Sequence, residues 1–287
     1  MVNNEYKTRD DKCHNERKQM KKAYQIKATN EEDTNNIIQH EKRDTIRLNK
    51  YISSSGFCSR RAADRYIEAQ KVSVDGEIAS LTTQVRENQC VIVDGNVIQH
   101  TQKLVYIALH KPVGITCTTD TEIEDNIVDY MQYEEPIFPI GRLDKDSSGL
   151  ILLTNDGDIV NKILRAENHH EKEYIVRVNQ FIRDENLEKL RTGVQIYNPT
   201  TNAYQITKPA LVSRVNANSF RLVLSEGLNR QIRRMCTAVD CRVIKLERVR
   251  IMNITLDHLG VGEWRYLRAD ELRELNTSLQ DSQSTPK

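Results

Sequence analysis

The chain has 287 residues, with 42 Lys and Arg against 41 Asp and Glu, a net charge of +1 and a mean hydropathy of -0.63. That length holds more than one hydrophobic core, so a small domain beside a larger one is expected. No apolar run suits a membrane span or a cleavable leader, and Cys13, Cys58, Cys90, Cys117, Cys236 and Cys241 form no C-x-x-C pair; a cytoplasmic protein with reduced thiols, no metal and no membrane contact is expected.

Residues 1–44 are polar and charged, as in Arg17-Lys18-Gln19-Met20-Lys21-Lys22; they predict a disordered tail with a transient helix near 15–27. Residues 45–100 predict a small domain. In Ile46 to Ile52 the residues Leu48, Tyr51 and Ile52 share one helical face, with Arg47 and Lys50 on another and Gly56 as the stop. Ser59 is the expected N-cap of a helix over 60–67. Val72-Ser73-Val74 before Asp75-Gly76, and Cys90 to Val93 before Asp94-Gly95, read as strands entering tight turns. Arg47, Lys50, Arg60, Arg61, Arg65 and Lys71 give this stretch a cationic excess suited to phosphate. For Arg65 and Lys71 a solvated helix face explains as much. Arg60 and Arg61 at a helix start oppose the helix dipole, which points to a role beyond helix stability.

Residues 101–276 predict a larger domain. Leu104 to Leu109 reads as a strand running into the turn Lys111-Pro112-Val113-Gly114, with His110 read as structural. Leu150 to Thr154 is a continuous apolar strand. Asn155-Asp156-Gly157 turns the chain, and Asp158 is the expected cap of a helix with Ile159, Ile163 and Leu164 inward. A strand at 174–178, a helix over 183–190 ending near Gly193, strands at 220–224 and 242–246, and a helix from Arg230 to about Val239 capped by Asn229 complete the domain. Strands and helices interleave without a regular βαβ repeat or a phosphate-binding glycine loop, so an α+β mixed sheet is expected. Residues 277–287, rich in Ser, Gln and Thr, read as a second tail.

One run concentrates chemistry: Gly141-Arg142-Leu143-Asp144-Lys145-Asp146-Ser147-Ser148-Gly149, just ahead of the apolar strand. A sheet fixes such a loop while the loop exposes its side chains. A buried aspartate needs a cation, and Asn229-Arg230-Gln231-Ile232-Arg233-Arg234-Met235 offers one. On chemistry alone Asp144 and Asp146 are equal candidates.

Gly141 to Leu150, Lys172-Glu173-Tyr174 and Asn229 to Met235 resemble, in order, the catalytic motifs of the RsuA/RluB/RluE/RluF family of ribosomal-RNA pseudouridine synthases. Asn161 to Asn168 and Lys245-Leu246-Glu247-Arg248 resemble the RluF branch in particular. The resemblance covers about residues 46–276. It implies an S-four-like RNA-binding domain ahead of a mixed-sheet pseudouridine-synthase domain with a central cleft. It further implies isomerisation of uridine in large-subunit ribosomal RNA, by a monomer and without a cofactor. Asp144 then matches the catalytic aspartate, as nucleophile or as stabiliser of the sugar cation, and Arg233 matches its arginine partner. Tyr174 matches the tyrosine that stacks on uracil and moves a proton; without the resemblance it reads as a core residue. Arg47, Lys50, Arg60, Arg61, Lys111, Arg142, Lys172, Arg230 and Arg234 are the candidate RNA contacts or supports of the cleft. Three rival readings stay open: the same chemistry on a transfer RNA, a non-catalytic RNA-binding or ribosome-assembly factor, and a hydrolase using Asp144 with Asp146 as a carboxylate pair.

Overall fold

The computed structural model describes residues 37, 38, 44–86, 88–98, 103–164 and 170–280. Most of the two expected tails, and the expected helix at 15–27, lie outside the described residues.

The small domain follows its patterning. β1 (Ile46–Arg47) leads into α1 (Leu48–Ser54), whose buried residues are Leu48, Tyr51 and Ile52, as the spacing predicts. α2 (Arg60–Glu68) starts at Ser59, whose hydroxyl accepts from the Ala62 N–H at 3.2 Å; that cap offsets part of the dipole cost of two arginines in the first turn. β2 (Val72–Val74), β3 (Glu77–Ile78), β4 (Gln84–Val85), β5 (Val91–Val93) and β6 (Asn96–Ile98) follow. β3, β2, β5 and β6 make an antiparallel sheet in that order, and β1 pairs with β4. Both Asp-Gly pairs adopt left-handed backbone, Asp75 at φ 50° with Gly76 at 88° and Asp94 at 49° with Gly95 at 82°, the geometry that matches strand twist in a two-residue hairpin. Leu48, Ile52, Ala63, Ile67, Val85 and Val91 pack the core between helices and sheet.

The larger domain runs β7 (Tyr106–Lys111), α3 (Ile127–Met131), β8 (Phe138–Ile140), β9 (Ser148–Thr154), α4 (Gly157–Leu164), β10 (Lys172–Val178) and α5 (Asp184–Thr192). It continues through β11 (Gln195–Asn198), β12 (Ala203–Ile206), β13 (Leu211–Asn216), β14 (Ser219–Leu224), α6 (Gln231–Thr237), β15 (Val243–Ile251), β16 (Ile254–Thr255), β17 (Trp264–Tyr266) and α7 (Ala269–Gln280). The main sheet has the order β13-β14-β10-β15-β9-β7-β17, with β16 beside β15 and β8 beside β9; β11 and β12 form a separate ribbon.

Two halves of this sheet meet at a short seam. β9 pairs with β7 along its length, but it meets β15 only at Ser148↔Glu247 and Gly149↔Arg248, in parallel, before β8 takes that side from Ile140↔Leu152 onward. One half packs on Val176, Phe220, Leu222, Met235 and Leu246. The other packs on Ile107, Leu109, Ile151 and Leu153. The seam falls on the last two residues of the Gly141–Gly149 run.

Several expectations need correction. Asp158 does not cap α4: its N–H donates to the Asp156 carboxylate at 3.0 Å, and its own carboxylate takes Lys50 at 2.5 Å. α6 is shorter than expected, because Arg230 sits in left-handed backbone at φ 46° and precedes the helix. Arg230, in place of the expected Asn229, takes the cap position without a side-chain capping bond, and the Leu228 N–H donates to the Gln231 side chain at 3.0 Å, which ties the preceding loop to the first turn. The strand expected at 242–246 runs on to Ile251. The boundaries at 44 and 276 also cut through a core. Leu279 is buried in α7 with Leu272 and Leu275, Ile38 joins the same cluster, and Asn276 donates to the Ile37 carbonyl at 3.0 Å. Sparse apolar residues inside polar stretches, Ile38 in one and Leu279 in the other, anchor both segments.

Candidate active site

Asp144 lies in the loop between β8 and β9, on one half of the sheet; Arg230 and Arg233 come from the other half, at the start of α6. The pairing therefore bridges the seam. Arg233 Nε lies 3.7 Å from Asp144 Oδ2, and Arg230 NH1 lies 3.6 Å from the same oxygen. Arg233 also donates to the Asp146 carbonyl and the Ser147 hydroxyl, both at 2.9 Å, which fixes the loop behind Asp144.

The two aspartates differ. Arg230 grips both Asp146 oxygens, at 3.2 and 2.9 Å. Burial pushes the Asp146 carboxyl up, but the Arg230 hydrogen bonds and the charges of Arg233 and Arg230 outweigh it and hold the group below the usual carboxylate range. Asp144 meets its arginines only at ion-pair distance and accepts no side-chain hydrogen bond from the described residues. Asp146 is a structural clasp, whereas Asp144 keeps open acceptor capacity.

Tyr174 stands on β10 with Arg248 of β15 and Leu222 of β14 as its cross-strand neighbours. Its ring is half-buried against the core of that half-sheet. Lys172 stands two residues earlier on the same face of β10; the register shift after Glu173 leaves Val249 of β15 as the extra residue, while the β10–β14 ladder runs on unbroken. Burial, reinforced by the Arg248 charge, pushes the Lys172 ammonium down to about 8, and its one described hydrogen bond goes to the His170 carbonyl at 3.1 Å.

Lys111, expected to face RNA, is fully buried. Its ammonium donates to the carbonyls of Pro112 at 2.8 Å and Ile115 at 2.9 Å, and burial pushes it down to about 8. The Lys-Pro-x-Gly turn curls around its own lysine and so turns the cation inward. His110, read as structural, is buried between the Leu259 carbonyl at 2.8 Å and Glu247 at 3.2 Å.

Arg248 was singled out only as part of a family-like stretch, and the structure gives it a specific task. Nε donates to the Leu150 carbonyl at 2.7 Å, and NH1 reaches the Arg142 carbonyl at 3.4 Å. One buried guanidinium thus staples both ends of the loop that carries Asp144. Gly149 makes the approach possible: at φ 116° it lies so close to Arg248 that a Cβ there would strike the Arg248 backbone. No periodicity marks this arginine, because a charged residue in mid-strand reads as solvent-facing. Arg233 Nε, Arg248 NH2 and Ser148 Oγ are buried without hydrogen-bond partners among the described residues, so donors remain unspent around the seam.

The other expected RNA contacts divide by exposure. Arg47, Arg60, Arg61 and Arg142 are exposed. Lys50 is partly buried and paired with Asp158, and the Arg60 guanidinium lies next to Gly157. Arg234 donates to the carbonyls of Tyr197 and Asn229. Among the described residues there is no cluster of metal-ligating side chains, and no helix is long and apolar enough to cross a membrane.

Sequence comparison matches the RNA pseudouridylate synthase family at residues 105–238 and the S4 domain at residues 46–91. With curated relatives 50% identical across most of its length, the chain belongs to the RNA pseudouridine synthases and is an enzyme of that class. Those relatives include the dual-specificity RNA pseudouridine synthase RluF of Escherichia coli, 50% identical over 85% of this chain and 82% of the relative. The ribosomal small subunit pseudouridine synthase A of Yersinia pestis is 35% identical over 79% of this chain and 97% of its own length. A crystal structure of a pseudouridylate synthase superposes with a TM-score of 0.58 at 28% identity, covering 80% of this chain and 99% of the other.

Proposed function

We propose that this enzyme isomerises a uridine of large-subunit ribosomal RNA, with Asp144 as the carboxylate that acts at the ribose. The reaction breaks N1–C1′, turns the freed uracil and joins C5 to C1′; the C5 hydrogen leaves as a proton, N1 gains one, and nothing else is consumed. Asp144 suits the reacting carbon because it is charged, held in place by Arg233, and free of the grip that occupies Asp146. That contrast between neighbouring carboxylates is the observation that carries the assignment. Tyr174 supplies the ring against the displaced uracil and a hydroxyl for the proton transfer. Lys172 and Arg248 keep the cleft floor positive, which favours the negative charge on the departing base.

Extruding a base from folded RNA costs about a few kcal/mol. Phosphate contacts by Arg47, Arg60, Arg61 and Arg142, on exposed surface, offset that cost. On this reading the enzyme works as a monomer in the cytoplasm, since one chain carries Asp144, Tyr174 and Arg233. The large subunit is named because of the RluF-like stretches and the 50% identity to the RluF relatives, against 35% to the small-subunit enzyme. A second RNA target, such as a transfer RNA, is favoured by the words "dual-specificity" in the name of those relatives.

Pseudouridine mapping in total RNA from cells with and without the protein tests the target. A site in the 23S RNA that disappears on deletion and returns with the wild-type chain is expected. Asp144→Asn should fail to restore it, and Asp146→Asn should restore it at least in part. Restoration by Asp144→Asn would overturn the catalytic assignment, and loss of sites only outside the large subunit would overturn the target.

A further inference from the structure

The ribbon of β11 and β12 stands apart from the main sheet and carries an unusual outer face. Tyr197 and Tyr204 are directly opposite each other in the register, and Gln195 and Ile206 form the next outward pair. The two rings meet edge to face, with centroids 5.5 Å apart and planes at 65°. Tyr204 is 70% exposed, Ile206 72% and Tyr197 42%. The inner face is anchored instead: Ile196 and Asn198 are buried, and Asn198 donates to the Gln205 side chain at 2.8 Å. The exposed rings therefore lie on a braced ribbon.

Two observations say what covers this face. The first is charge. Residues 189–225 contain no Asp or Glu but five cations, of which Lys189 and Lys208 stand beside Arg191, Arg214 and Arg221, the last three paired with Glu188, Asp184 and Glu173; with 41 acids in 287 residues, about five acids would be expected in a stretch of that length. A polyanion approaching this segment meets none of its carboxylates. The first acid beyond it, Glu226, is occupied by the Lys208 N–H at 3.0 Å and the Gln231 side chain at 2.5 Å. The second is continuity with the active site. Arg234 holds the Tyr197 carbonyl of the ribbon and the Asn229 carbonyl of the loop before α6, and β11 packs on α6. The same short helix that brings Arg233 to Asp144 carries the ribbon.

We infer that the Tyr197–Tyr204 face is a stacking platform for unpaired bases of the substrate RNA beside the extruded uridine, and that Arg234 is its positioning residue. An aromatic ring accepts any base by its π-face, so such a platform adds affinity without ion pairs and without sequence readout. Asn202 at the ribbon tip accepts from the Tyr197 hydroxyl through its side-chain oxygen and keeps its amide hydrogens for a base edge, which suits RNA better than a hydrophobic protein partner. The inference rests on the substrate being RNA and not on which RNA is modified.

The test uses the full-length chain, an unstructured oligoribonucleotide carrying 2-aminopurine, and protein-free 23S RNA as turnover substrate. Wild type should change the 2-aminopurine emission on binding. Tyr204→Ala should weaken oligonucleotide binding about tenfold and remove most of that change, within the range known for loss of one base stack. Tyr204→Phe should bind as wild type, because stacking needs the ring and not the hydroxyl. The slope of affinity against salt should stay the same in Tyr204→Ala, since no phosphate contact is lost. In turnover, KM should rise by a similar factor while kcat falls less than twofold. Ile206→Ser, at another exposed position of the same face, provides a second variant if Tyr204→Ala is poorly folded by circular dichroism. Wild-type affinity in both folded variants, a Tyr204→Phe variant as weak as Tyr204→Ala, or a wild-type dimer that Tyr204→Ala disperses would each overturn the platform. Asp144→Asn should bind and stack like wild type, so a failed catalytic assignment and a failed platform give different results.

Discussion

The cations of the small domain and those of the cleft are the same residue types put to opposite use. Arg47, Arg60 and Arg61 stand in solvent. Lys111 and Arg248 are buried and already spent on backbone carbonyls, and Arg233 is committed to the Asp144 loop. An exposed cation is free to exchange its counterion for a phosphate, so it acts on affinity and is sensitive to salt. A buried one is held by fixed dipoles, so it acts on geometry and on the electrostatics of the site. Lys50 falls between the two, being near the surface but occupied by Asp158.

The largest effect expected from breaking this division is at Arg233. Arg233→Leu should abolish turnover, and it should cost about 2 kcal/mol of stability, between the values for exposed and buried pairs, since both partners are partly exposed. Combining it with Asp144→Asn should recover part of that stability and no activity, because the stranded charge is gone. Urea melts of the four-member cycle measure this, and strictly additive losses would mean that the two side chains are not coupled. A smaller and different effect is expected from Arg60→Ala with Arg61→Ala. RNA affinity should fall and its log–log dependence on salt should flatten by about one to two units, with the single-turnover rate at saturation little changed. Lys50→Ala should flatten the slope less than either arginine, as its charge is already paired within the protein. A salt titration of Arg60→Ala, Arg61→Ala and Lys50→Ala as single variants ranks them, and equal slopes would erase the distinction between free and occupied cations.

A further effect, on stability alone and not on turnover or RNA binding, is a pH dependence from the buried side. Lys111 is lowered from its ordinary 10.5 to about 8, as is Lys172. Between about pH 8 and 10.5 the unfolded chain therefore binds more protons at these two positions than the folded one. Their contribution to stability rises with pH across that window, and the cost of burying the charges is felt in full below pH 8. Lys111→Met should remove about half of this rise in denaturant melts taken from pH 7.5 to 10. An unchanged rise would mean that the Lys111 ammonium keeps its ordinary affinity for the proton.

The helices and hairpins of the small domain were legible because each obeys a local rule: the 3.6-residue spacing of Leu48, Tyr51 and Ile52, the hydroxyl of Ser59 as a cap, and two Asp-Gly turns. The apolar strand β9 was legible for the same reason. What the sequence withheld depends on contacts between distant segments. The seam rests on two residue pairs about a hundred positions apart in the chain. Arg248 reads as a solvent residue until the loop ends it staples are brought to it. Lys111 looks like a surface turn residue because nothing local reveals that Pro112 and Ile115 turn their carbonyls toward its own ammonium. Asp144 and Asp146 are indistinguishable as neighbours in a list of residues; what separates them is the two-oxygen grip of Arg230 on Asp146 and the closer approach of Arg233 to it, 3.2 Å against 3.7 Å. Ile38 and Leu279 each carry one apolar side chain into a core built by others, a signal too sparse for periodicity to detect.

Gly149 sets a limit on how this loop can be re-engineered. Its backbone stands at φ 116° with the Arg248 main chain where a Cβ would go, so every other amino acid at this position must part β9 from β15 at the one place where they touch. A library aimed at a new base or a new RNA can vary Lys145, whose side chain is 56% exposed, and it gains nothing from position 149. Sequence diversity in the loop is thus confined to its outer rim, and the two strands below act as a fixed die against which any variant loop is cast.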